Sequence, residues 1–274
     1  MSTPRIDAHQ HYWRLDRGDY GWLTPELAAI YRDFGPADLA PALERNAVAR
    51  TILVQAAPTL AETDYLLALA AENPTIAGVV GWCDFAAAAQ VEALAHNRLL
   101  VGLRPMVQDI ADDDWLLNGD LDAAFRALEL HNIVFDALVL PRHLSRLIVL
   151  ADRYPALAIV VDHAAKPHLR ERLFEPWRSD MAALAKRPNV VCKFSGLASE
   201  IGAAWTRDDL TPVADHLLAT FGEARLLWGS DWPVLELAGS YDRWFEAAQT
   251  LVGSSDAIFG ANARRVYLEK RGRF

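Results

Sequence analysis

Two histidines stand two residues apart near the start of the chain, His9 and His11 in the segment DAHQHYW. In an extended strand that spacing turns both imidazoles to one side, with Asp7 one step deeper on the same face. A pair of imidazoles so placed suits a divalent ion or the polarising of a carbonyl. Far along the chain, Asp231 closes the apolar run LLWGSDWP. A carboxylate behind buried residues, followed by Trp232 and Pro233, is partly desolvated, which predicts a raised pKa and general-base behaviour. His163 ends IVVDH, and Lys166 follows it in HAAKP. Arg104 ends LVGLRP; its guanidinium can clamp an oxygen bidentately or serve as the ion-pair partner of Asp7 or Asp84, and the sequence weighs these equally.

The elements that must position these groups recur regularly. Short apolar, β-branched runs predict eight strands: Arg5–His11, Arg50–Ala56, Ala77–Cys83, Leu100–Val107, Ile133–Leu140, Ala158–His163, Val190–Phe194 and Leu226–Ser230. Between them, apolar residues at three- and four-residue spacing predict helices over Pro36–Ala47, Glu62–Glu72, Ala86–Asn97, Asp120–Leu130, Leu144–Arg153, Phe174–Lys186, Asp208–Thr220 and Tyr241–Leu251. Strand then helix, repeated over about 250 residues, predicts an α/β fold of the (β/α)8 barrel type. The first turn lacks glycine, which argues against a dinucleotide fold, and no linker divides residues 1–274, so one domain is expected. In such a barrel the site gathers at the C-terminal strand ends. The polar residues expected there are His9, His11, Gln55, Trp82, Asp84, Arg104, Asp136, Arg142, His143, His163, Lys166, Lys193, Ser195 and Asp231. Asp136 and Lys193, inside strands, can equally pair with neighbours.

The composition narrows the partners. The chain has 274 residues, a formal charge of −9, 52% hydrophobic and 23% charged residues. That balance is globular and disfavours nucleic acid or an anionic membrane as partner. Cys83 and Cys192 lie in apolar runs and imply no disulfide framework. MSTPRIDAHQHYW lacks the pattern of a secretory signal, and no apolar run is long enough to span a bilayer, so a cytoplasmic location is expected. Aromatic residues crowd the strand ends. Tyr12, Trp13, Tyr20, Trp22, Trp82 and Trp232 could stack on a sugar ring, although packing beneath loops explains most of the nine tryptophans.

Taken in order, DAHQHYW, GWCD, GLRP, DHAAKP, KFSGL, LLWGSDWP and the tail FGANARRVY resemble the amidohydrolase superfamily, and within it the amidohydrolase-2 branch that includes sugar lactonases of the L-fuconolactonase and L-rhamnonolactonase group. The resemblance implies hydrolysis of a neutral sugar lactone to its aldonic acid. Asp231 would act as general base, with His163 and Arg104 stabilising the oxyanion. His9, His11, Gln55, Trp82, Asp84, Lys166, Lys193 and Trp232 would contact substrate. Arg104 cannot bridge two metals and the fifth strand has no histidine, so a binuclear centre is not expected. No cofactor is strictly required; one divalent ion, zinc or manganese, on His9, His11 and Asp231 is compatible with the pattern. The rival readings are a zinc-dependent decarboxylase, a lactonase for dicarboxylated rings, and an idle barrel that only binds sugar acids.

Overall fold

The computed structural model describes residues 3–272. Eight strands form one parallel sheet in sequential order, β1 (Arg5–Gln10), β2 (Val48–Val54), β3 (Ile76–Gly81), β4 (Leu100–Leu103), β5 (Val134–Ala137), β6 (Ile159–Val161), β7 (Val190–Phe194) and β8 (Leu226–Trp228). Nine α-helices among the described residues lie between and after them: α1 (Pro36–Arg45), α2 (Leu60–Glu72), α3 (Ala88–Ala95), α4 (Asp122–His131), α5 (Leu144–Arg153), α6 (Trp177–Leu184), α7 (Leu197–Ile201), α8 (Arg207–Phe221) and α9 (Tyr241–Val252). This is the expected barrel, with the short α7 as an addition. Several helix starts are set by side-chain caps. Thr59 accepts from Glu62 N at 3.0 Å, Ser240 accepts from Arg243 N at 3.2 Å, and Pro36 occupies the first turn of α1.

Strands buried on both faces read as continuous apolar runs, and each contributes to two clusters. Ile6, Ala8, Ile52, Val54, Val80, Val101, Val134, Val160, Val191 and Leu227 fill the barrel, joined by Val266, Tyr267 and Leu268. The second, larger cluster packs the outer strand faces against the helices. The C-terminal segment, two turns with π-type bonding at Ala257–Ala261 and Arg264–Leu268, therefore plugs the end of the barrel opposite the site.

The seam between β8 and β1 positions the chemistry. It is closed by the chain just beyond β8: Asp231 N donates to His9 O at 2.8 Å, and His11 N donates to Trp232 O at 2.7 Å. Asp231 is thus stitched to the strand that bears both histidines. Within β1 the register slips: Asp7 pairs with Thr51 but Gln10 with Leu53, three steps against two. This bulge inverts the alternation. Asp7, expected beside the histidines, instead faces outward. It accepts from Ser230 N at 2.9 Å, His9 N at 3.1 Å and Tyr241 Oη at 3.0 Å. Burial raises its pKa to about 6.

At the end of β2, the buried Glu62 accepts from Ala56 N at 2.9 Å and Ala57 N at 2.7 Å, tying α2 to the loop beside the site. Burial raises its pKa from 4.5 to about 7. Between these values the folded state holds a proton that the unfolded state has released. Stability therefore falls as pH rises through this window, by an amount of the order of 3 kcal/mol. Urea denaturation from pH 4 to pH 8 is expected to show a downward slope in the native protein that Glu62→Gln flattens. Equal slopes would remove Glu62 from the linkage. No helix among the described residues is long and apolar enough to cross a membrane.

Candidate active site

The three histidines of the sequence pattern and Asp231 meet at the C-terminal end of the barrel. Asp231 Oδ1 lies 3.4 Å from His11 Nε2, 3.7 Å from His9 Nε2 and 3.9 Å from His163 Nε2. All four residues are buried. Burial alone would raise the Asp231 carboxyl. The imidazoles of His163, His11 and His9 outweigh it and hold the group below the usual carboxylate range. The raised pKa expected from desolvation is therefore overturned, and Asp231 is ionised near neutral pH. Burial pushes the pKa of His163 down, and burial together with the Lys193 ammonium pushes that of His9 well down.

Each ring is oriented from behind. His11 Nδ1 donates to Val54 O at 2.8 Å, which turns Nε2 toward Asp231. His163 Nδ1 lies 2.9 Å from Ser195 Oγ. His163 begins a run of four residues with positive φ, His163 to Lys166 at 50–57°, an unusual left-handed turn for residues other than glycine. The turn is held by Trp177 Nε1 donating to Ala164 O at 2.7 Å and by Lys166 Nζ, 3.0 Å from Glu200 Oε1. Gly196 is required opposite it: a Cβ there would sit 2.4 Å from His163 Nδ1.

Arg104 reaches the same centre, its Nη1 3.4 Å from His9 Nε2 and 3.3 Å from Asp162 Oδ2. Its ion-pair partner is Asp162, neither Asp7 nor Asp84. Gln55 and Arg104 hold each other: Gln55 Nε2 donates to Arg104 O at 2.8 Å, and Arg104 Nη2 donates to Gln55 O. Three residues expected at substrate are engaged elsewhere. Gln55 is buried behind Arg104. Lys193 is buried beneath His9, 2.5 Å from Asp136 Oδ2, so that of its two readings the pairing one holds. Trp232 is packed edge-on against Tyr12 and Phe34, with Nε1 donating to Glu236 at 2.8 Å. Trp82 is half-buried at the rim. Asp84 is exposed, its Oδ1 accepting from Ala86 N at 2.9 Å. Trp22, 39% exposed, bridges the first loop to Ala56 O at 2.8 Å and stands at the rim with Trp82.

Asp162 was not anticipated. It is fully buried, 2.9 Å from Lys193 Nζ, and although burial opposes ionisation, Lys193, His9 and Arg104 keep it a carboxylate. Strand alternation assigns only one of two neighbours, Asp162 or His163, to the interior. The positive φ at His163 breaks that rule and turns both inward. The tail hydroxyl of Tyr267, 2.7 Å from Asp136 Oδ1, was likewise missed, having no local signal.

The convergent set fits a divalent cation. His9, His11 and Asp231 place ligand atoms within 4.8 Å of one another, and so do His9, Asp162 and His163. The first set is the better one, because Asp162 is already neutralised by Lys193 and Arg104. His163 Nε2, 3.9 Å from Asp231 Oδ1, stands beside this set as a fourth group.

The amidohydrolase family profile matches residues 6–268. The chain belongs to the amidohydrolase family. It is 45% identical to an L-fucono-1,5-lactonase of Burkholderia ambifaria, over 97% of this chain and 96% of that protein. It is 37% identical to an L-fucono-1,5-lactonase of Burkholderia multivorans, over 97% of each. A crystal structure of a Burkholderia multivorans amidohydrolase with bound zinc superposes with a TM-score of 0.91 at 36% identity, covering 96% of this chain and 99% of that one.

Proposed function

We propose that this amidohydrolase opens a neutral sugar lactone, of the L-fucono-1,5-lactone class, to the aldonic acid. The observation that carries the reading is the ionised Asp231 carboxylate ringed by three imidazoles at 3.4–3.9 Å, in a chain that is similar over its whole length to such lactonases. In this mechanism Asp231 takes a proton from water as the water adds to the lactone carbonyl. His163, with Ser195 donating to its Nδ1, offers an Nε2 hydrogen to the developing oxyanion, and Arg104 offers an Nη1 hydrogen. Each donor of this kind contributes about 3 kcal/mol to lowering the barrier. Asp231 then returns its proton to the departing ring oxygen. A divalent ion held by His9, His11 and Asp231 would add polarisation of the carbonyl and acidification of water.

Charge supports the substrate class. Of the two arginines expected at the mouth, Arg104 is neutralised by Asp162, and Arg142 is exposed and paired with Asp113 at 2.7 Å. Neither is free to bind a dicarboxylated ring or the carboxylate of a decarboxylase substrate. The net charge of −9 and the absence of a membrane-spanning helix among the described residues support a single-domain cytoplasmic enzyme of small molecules.

A pH-indicator assay over neutral aldonolactones and a dicarboxylated lactone tests the reading, since each ring opened releases a proton. Turnover of the neutral deoxy-sugar lactones is expected, and preference for the dicarboxylate would reject it. In the same assay Arg104→Ala is expected to raise KM and lower kcat together, for a combined loss of about 100-fold or more in kcat/KM. An unchanged rate would make Arg104 only a structural partner of Asp162.

A further inference from the structure

Glu62 and Thr63, neighbours in the first turn of α2, are fully buried and bonded to two adjacent strand ends. Thr63 Oγ1 accepts from Trp82 N at 2.8 Å and donates to Trp82 O at 2.8 Å, just past β3. Glu62 takes the end of β2: one carboxyl oxygen accepts from Ala56 N at 2.9 Å, and the other accepts from Ala56 N at 3.1 Å and Ala57 N at 2.7 Å. Docking the helix does not require an acid there, because Thr63, Leu66, Leu67 and Ala70 are buried along the same face. Burying a carboxyl group is costly. What it adds is a pair of acceptor oxygens for two consecutive backbone N–H groups.

Those N–H groups belong to the two peptide units that reach the site from the other side. The unit joining Gln55 to Ala56 gives its N–H to Glu62, and its carbonyl, Gln55 O, accepts from Arg104 Nη2. The unit joining Ala56 to Ala57 also gives its N–H to Glu62, and its carbonyl, Ala56 O, accepts from Trp22 Nε1 at 2.8 Å. A trans peptide is planar with N–H and C=O opposed, so fixing one end of each unit fixes the direction of the other. Each hydrogen bond also polarises the unit and strengthens the bond at its far end. The backbones of Gln55 and Arg104 are themselves set by β3, through Val80 O and Gly81 O, each at 2.8 Å. The aim of the guanidinium and of the rim indole is what the two carbonyls decide.

We propose that Glu62 is a positioning residue that orients Arg104 at the reaction centre and Trp22 at the rim, acting through the two peptide units of residues 55–57. The role rests on the place given to Arg104 in lactone opening, and two measurements keep the inference and that reading apart. The first is a double-mutant cycle in kcat/KM at pH 8, above the Glu62 pKa of about 7. Glu62→Gln keeps the shape, but whichever way the amide is turned its NH2 opposes the Ala56 N–H. The substitution is expected to lower kcat/KM by about 10- to 100-fold, as misplacement of a group at the reaction centre does. In an Arg104→Ala background, where the positioned group is gone, it is expected to cost less than about twofold. Equal losses in the two backgrounds, or no loss in the native one, would overturn the role.

The second measurement is amide hydrogen exchange by NMR, which needs no turnover. In the native protein the Ala56 and Ala57 amides are expected to exchange as slowly as those of β2, and in Glu62→Gln at least about tenfold faster, with β1 unchanged. Native exchange as fast as in an exposed loop, or equal exchange in the variant, would overturn the proposal. An inactive native protein with the expected exchange would instead reject the lactone reading and retain Glu62 as the anchor of both carbonyls.

Discussion

Asp231→Asn is expected to lower kcat by about a thousandfold, within the 10²–10⁴ range of lost general-base catalysis, with little change in KM. The carboxylate is held ionised by three imidazoles at 3.4–3.9 Å, and an amide of the same shape cannot take a proton from water. The backbone contact from Asp231 N to His9 O survives the change, so the seam between β8 and β1 stays closed. Steady-state kinetics with circular dichroism on the same samples separate the two effects. A folded Asp231→Asn protein within tenfold of native turnover would remove Asp231 as base and move that role to one of the imidazoles.

The second large effect is on stability. Among the described residues, Lys193→Met leaves Asp136 without its one Lys or Arg partner and Asp162 with Arg104 as its remaining one, both carboxylates fully buried. Removing one member of a buried ion pair typically destabilises by about 3–5 kcal/mol, because an uncompensated charge remains in the core. Adding Asp136→Asn is expected to recover at least half of that loss, since the Tyr267 hydroxyl still finds an amide oxygen. Urea denaturation of the native protein, both single variants and the double variant completes the cycle. A single-variant loss below about 1 kcal/mol, the size of a surface pair, would mean that the charge is relieved by local rearrangement.

The barrel was legible because parallel strands covered on both faces leave uninterrupted apolar runs. β7 and α5 fall at the expected residues, while β4, β5, β6 and β8 end earlier than the apolar pattern does. The excess belongs to strand-end loops such as 105–107 and 139–140, where Val107 and Val139 pack into the cluster between strands and helices. Composition cannot distinguish that packing from strand. At the site, HxH, His163 and Asp231 were visible because residue type and strand-end position coincide. The network behind them was not. A one-residue bulge turned Asp7 away from the histidines, a left-handed turn brought Asp162 in beside His163, and Tyr267 arrived from the far end of the chain. Each depends on a backbone departure or a long-range contact that strand alternation does not encode. The pKa of Asp231 failed for a related reason. Desolvation is local and readable, but the three imidazoles that outweigh it converge from β1 and from the turn after β6.

The reaction itself is tested most directly by kcat/KM for L-fucono-1,5-lactone with freshly prepared substrate, corrected for spontaneous ring opening. The expected value lies above about 10⁴ M⁻¹s⁻¹, the lower end of ordinary enzyme efficiency, with the open-chain acid as sole product. Ring opening no faster than in buffer, for this lactone and for the other neutral aldonolactones, would contradict the assignment of Asp231 and its three histidines to sugar-lactone hydrolysis.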